Sequence, residues 1–144
     1  MPGSRGSWGS KPARGGKAIP ETVKWSTEQR IQQYAREHFA GKYARLEIRF
    51  RGQFCYVDAF TEPEPPRPGW PPPDWHETPE EYVERLRNTP THLCRLRYSG
   101  GPDRWEFAFY TYSNQKYETS IFATGEFIGT PEDAFELAAN AYLQ

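Results

Sequence analysis

The chain has 144 residues, a formal net charge of −1 and an aromatic content of 16%. That length suits one domain, able to remove roughly two-thirds of its unfolded surface from water, and a near-neutral total excludes a strong global pull toward nucleic acid or membrane. Two cysteines, Cys55 and Cys94, are too few for a disulfide framework and offer no metal-ligand spacing.

Residues 1–20 are Gly, Ser, Pro and Lys/Arg with few apolar side chains. Such a segment cannot offset its ordering entropy, so a disordered basic tail is expected. The first 25 residues hold Arg5, Lys11, Arg14, Lys17 and Lys24 against Glu21 alone. The start has no apolar core of a secretory leader, and no apolar run approaches the ~20 residues that cross a bilayer. A cytoplasmic protein without membrane contact is the expectation, with residues 21–144 as its single domain.

Ser26-Thr27-Glu28-Gln29 reads as a capping box opening the first helix. Ile31, Tyr34, Ala35, His38 and Phe39 follow at the spacing of one buried helical face, which makes His38 a core histidine, and Gly41 ends the helix. Residues 44–51 and 54–60 then form a hairpin about the Gly-X turn Gly52-Gln53. Pairing outward from that turn sets Phe50 against Cys55, Ile48 against Val57 and Leu46 against Ala59. The reverse face sets Arg51 against Phe54, Arg49 against Tyr56, Glu47 against Asp58 and Arg45 against Phe60.

Residues 61–77 form a Pro-rich crossing, with half of the 14 prolines falling between Thr61 and Trp75. An extended, polyproline-like run is expected there. Thr78-Pro79-Glu80-Glu81 opens a short peripheral helix with proline at its first position, and Pro90 forbids its continuation. Strands 92–98, 104–112 and 117–124 follow, joined at Gly100–Asp103 and at Asn114-Gln115. Pairing sets Leu96 against Phe107, Cys94 against Phe109 and Tyr98 against Trp105 on one face, and Arg97 against Glu106 on the other. That ion pair is worth about 0.5 kcal/mol if exposed. The second turn sets Phe107 against Phe122, Tyr112 against Tyr117 and Tyr110 against Thr119. Thr130-Pro131-Glu132-Asp133 caps the last helix, whose apolar face is Phe135, Leu137, Ala138, Ala141 and Tyr142.

These elements give an α+β fold, a mostly antiparallel five-stranded sheet with the first and last helices on one face. The thirty-residue crossing leaves the place of the first hairpin open. The last three strands and the alanine-rich helix resemble the latter part of a double-stranded-RNA-binding domain. That family holds phosphates with lysines at the start of its last helix. Here those positions read Thr130-Pro131-Glu132-Asp133, so the resemblance is one of topology and carries no residues across.

No phosphate loop, nucleophile elbow or zinc motif is present. Asp74, His76 and Glu77 cluster in the crossing without a ligand pattern, and Glu47 opposite Asp58 reads as a salt network with Arg45 and Arg49. His92 reads as a strand-end residue. No catalytic residue, metal or cofactor is therefore assigned. The outer face instead collects arginines and rings, and its expected binding residues are Arg49, Arg51, Tyr56, Arg95, Arg97, Tyr110, Tyr112 and Tyr117. Such a face suits a protein partner or self-association first. The alternative is single-stranded nucleic acid, held by the same face and the basic tail. A small enzyme with a cleft between sheet and Pro-rich loop, using Glu47, Asp58 or His76, is the third reading.

Overall fold

Alternation of apolar and polar side chains builds the sheet, and helical stripes cover one side of it. The computed structural model describes residues 18–143; the expected tail, up to residue 17, lies outside them. The elements are α1 (Glu21–His38), β1 (Arg45–Arg51), β2 (Phe54–Phe60), α2 (Pro79–Arg87), β3 (Thr91–Gly101), β4 (Arg104–Thr111), β5 (Lys116–Ser120) and α3 (Pro131–Tyr142). One antiparallel sheet runs in the order β1-β2-β3-β4-β5. The first hairpin therefore joins the later strands through β2 and β3, and the crossing is an enlarged hairpin connection between neighbours.

The β1–β2 register follows the alternation, from Arg45 opposite Phe60 to Arg51 opposite Phe54. Gly52 takes the turn at φ +60°, a conformation glycine adopts without cost. The β3–β4 pairs Cys94–Phe109, Leu96–Phe107, Tyr98–Trp105 and Arg97–Glu106 are those the sequence predicts. The β4–β5 register is not. Phe107 faces Ser120, Phe109 faces Glu118 and Tyr110 faces Tyr117. The loop between these strands takes four residues, 112–115, rather than two, so the pairing slips by two. An even slip keeps every side chain on its face. β5 stops at Ser120 because the chain turns to bury Phe122 against Phe107, with ring centroids 5.5 Å apart. Gly129 passes close to that Phe122 ring and bridges to Trp105.

Two helices seal the inner face. α1 begins at Glu21 and not at Ser26, whose hydroxyl bonds back to the Val23 carbonyl at 3.3 Å. Val23, Thr27, Ile31 and Ala35 recur every four residues, and packing of that stripe carries the helix one turn past the local capping signal. Ile19 is already in the core, inside the stretch expected to be tail. The stripe continues to Phe39, which leaves His38 exposed and tilted against the Tyr34 ring at 4.2 Å, contrary to its expected burial. On α3, Ala134, Phe135, Ala138 and Ala139 are buried and Ala141 is exposed. The two helices lock together through Phe135, which meets Phe39 edge-on at 5.6 Å, and through Arg30, which grips Glu132 with two bonds of 2.7 Å and also reaches Asp103. Glu132 is thereby engaged between the two helices.

Cys55 and Cys94 are free and buried, and burial pushes both thiols up in pKa. α2 has its full capping box but buries no residue, so it stands at the periphery. Among the described residues no helix is long and apolar enough to cross a membrane.

Candidate functional site

Among the described residues no helix packs on the other face of the sheet, and its side chains line up in register rows. One row is Arg51, Phe54, Arg97 and Glu106; the next is Arg49, Tyr56, Arg95, Ala108 and Thr119. The third runs Glu47, Asp58, His92, with Tyr110 and Tyr117 beyond. All eight residues expected to bind stand on this face. Arg49, Arg51 and Tyr112 are exposed, and the other five are partly covered by one another.

The arginines lie on rings. Arg95 sits 4.4 Å from the Phe54 centroid and 5.3 Å from that of Tyr117, Arg49 lies 5.1 Å from Tyr56, and Arg45 lies 3.7 Å from Phe60. Arg97 bonds Glu106 at 3.5 Å, at the outer limit of a useful hydrogen bond. Among the described residues Arg45, Arg51 and Arg95 have no carboxylate within 4.0 Å. The rings pack edge to face, with Tyr56 and Tyr117 at 5.6 Å, Tyr110 and Tyr117 at 5.0 Å, and Tyr110 and Tyr112 at 4.8 Å. Tyr56 and Tyr117 belong to strands about 14 Å apart. Their rings meet because Ala108, on the diagonal between them, offers only a methyl. Burial, then the nearby Asp58 charge, raises the Tyr117 phenol above its ordinary pKa.

A buried carboxylate anchors the third row. The Asp58 side chain is 3% exposed; Oδ2 accepts from Arg49 Nη2 at 3.1 Å, and Oδ1 lies 2.9 Å from His92 Nδ1. An ionised carboxylate only accepts, so His92 donates from Nδ1 and its Nε2 keeps a lone pair when the ring is neutral. His92 is 34% exposed, with the Tyr110 ring 4.8 Å away and Tyr112 stacked at 6.5 Å. The Tyr112 hydroxyl accepts from the His92 backbone N–H at 2.6 Å. Glu47 stands opposite Asp58, as expected, but Asp58 turns to Arg49 and His92.

Sequence reasoning missed the pairing of Asp58 with His92. It depends on a bulge: Val57 faces Cys94 and Asp58 faces His92, leaving Leu93 as the extra residue. Leu93 and Cys94 both point into the core. Without the bulge His92 would lie on the opposite face. The consecutive apolar pair Leu93-Cys94, a break in the alternation, is the signal that marks it.

Two hollows flank this surface. On the face itself a depression of about 330 Å³ is lined by Gln53, Phe54, Arg95, Arg97, Glu106 and Thr119 among others. Gln53 Oε1 is out of reach of solvent there and accepts no hydrogen bond among the described residues. At the sheet end a groove of about 720 Å³ runs between the Pro-rich crossing and α2, walled by Pro63, Pro66, Trp70, Tyr82, Leu86 and Tyr112. Glu47, Asp58 and His76 do not line it. His76 is 69% exposed beside Glu77 and Trp75. Among the described residues no group of three His, Cys, Asp or Glu side chains could hold a metal ion.

Comparison with known protein families, curated proteins and solved structures finds no match for this chain.

Proposed function

We propose that the protein binds single-stranded nucleic acid across its open sheet face. The observation that carries this reading is Arg95. Its guanidinium lies over the Phe54 ring and within reach of the Tyr117 ring, at the centre of the face, and among the described residues no carboxylate neutralises it. Arg45 and Arg51 add charge at either end of β1. Bases can stack on a sheet's exposed rings while guanidinium groups hold the phosphates. The depression beside Arg95 supplies both donors and acceptors against an aromatic wall, which suits a base edge. Its volume falls at the small end of the ~300–1,000 Å³ typical of ligand sites.

The test is anisotropy with labelled single-stranded RNA and DNA at several salt concentrations. Three free arginines on phosphates predict a log–log salt slope of about −2. Arg95→Ala with Arg51→Ala should flatten that slope and weaken binding. No binding at about 100 μM protein in low salt would remove the proposal.

The edge-to-face packing of Tyr56, Tyr110, Tyr112 and Tyr117 favours a second reading, a protein partner or a second copy of this chain. Rigid tyrosines beside arginines make binding hot spots at small entropic cost. Capture of a defined partner from nuclease-treated extract, insensitive to moderate salt and lost on Tyr112→Ala, would favour this reading.

A further inference from the structure

From the geometry of the third row we infer that this face cleaves RNA, with His92 as general base. The inference rests on the nucleic-acid reading above and names its substrate. Asp58, 3% exposed, fixes the His92 ring through Nδ1 and leaves Nε2 as the basic atom. Such a carboxylate-oriented imidazole is a familiar route to proton abstraction from a hydroxyl. Among the described residues no serine, threonine or cysteine side chain bonds to this ring, and the proposed hydroxyl is the substrate's own. Ribose supplies one beside every phosphodiester.

The surroundings fit that substrate. Arg49 sits on the far oxygen of Asp58 and, 48% exposed, keeps guanidinium edges for a phosphate. Arg95 is tied to the same patch through continuous ring contacts, from Tyr117 to Tyr110 to His92. The depression in the neighbouring rows offers Glu106 to base N–H groups and Arg97 to base oxygens.

In the step, Nε2 takes the 2′-hydroxyl proton and the 2′-oxygen forms a bond to the adjacent phosphorus. The bond from phosphorus to the 5′-oxygen breaks. That oxygen takes a proton from water at the exposed face, and the proton on His92 returns to water. The products are a 2′,3′-cyclic phosphate and a 5′-hydroxyl. Nothing is oxidised or reduced, and Arg49 and Arg95 offset the charge that builds on the phosphorane.

The experiment incubates the full chain with a mixed-sequence single-stranded RNA in EDTA, alongside the same sequence as DNA and as 2′-O-methyl RNA. Product ends are read by mass spectrometry and binding by anisotropy. Cyclic-phosphate ends from RNA alone are expected. His92→Asn keeps a donor for Asp58 and lacks the base; it should cut about 100-fold more slowly or worse while binding within about threefold of the parent. His92→Ala checks the same loss without the amide, and circular dichroism confirms that both variants fold. RNA bound but left uncut overturns the cleavage and spares the binding reading. No RNA bound overturns both. Cleavage unchanged in both His92 variants, or products ending in 3′-hydroxyl, also overturns it.

Discussion

Replacing both partners of Asp58, as Arg49→Met with His92→Ala, should cost more stability than the two changes add up to. A hydrogen bond to a charged group contributes about 1.5–3 kcal/mol. Arg49 is 48% exposed and His92 34% exposed, so rearranged neighbours and water compensate in part, and each single variant should lose about 1 kcal/mol. The double variant leaves a carboxylate that is 3% exposed with neither partner, a loss of about 3–5 kcal/mol. The excess over additivity is the coupling through Asp58. Urea denaturation followed by tryptophan fluorescence at pH 8 reads the coupling. Adding Asp58→Asn to the double variant should restore most of the lost stability. Additive losses with no rescue by Asp58→Asn would mean that Asp58 is solvated and does not organise the face.

Gly129→Ala would set its Cβ 2.6 Å from the Phe122 ring; forcing that ring aside should lower stability by about 1–3 kcal/mol, read from the urea midpoint. Thr130→Ala and Thr78→Ala remove the same kind of cap, a 3.1 Å bond accepted from the backbone N–H of the third helical residue. The first should cost about 1 kcal/mol globally because α3 is anchored in the core. The second should only speed hydrogen exchange within α2, which buries nothing. The hydrogen bond to Glu136 leads the rise of the Tyr34 phenol to about 12. That link stabilises fully below the ordinary tyrosine range near 10 and is lost as pH climbs toward 12. Tyr34→Phe should therefore flatten the alkaline decline of stability measured by thermal melts.

Much of the fold was legible because its signals are local. The turn at Gly52-Gln53 and the alternation around it yield the β1–β2 register pair by pair, and Thr78 and Thr130 cap as their sequences say. The eight expected binding residues share one face because side-chain direction in a strand depends only on parity, which even the slip of β5 preserves. His38 and Ser26 were misread because local spacing does not say which helical ridge the sheet will bury. The four-residue stripe from Val23 to Phe39 settles that, and only in the presence of α3.

What the chain order alone determined is thus parity, caps and the two-sided character of the sheet, all of which act within a few residues. Tertiary structure decided which strands meet, and with them the chemistry of the site. Asp58 and His92 stand 34 positions apart, with the Pro-rich crossing and α2 between the strands that carry them. Only the pairing of those strands, with Leu93 bulged inward, brings imidazole and carboxylate within 2.9 Å. A one-residue change in register moves a side chain through the sheet, so a site built on a bulge depends on long-range packing.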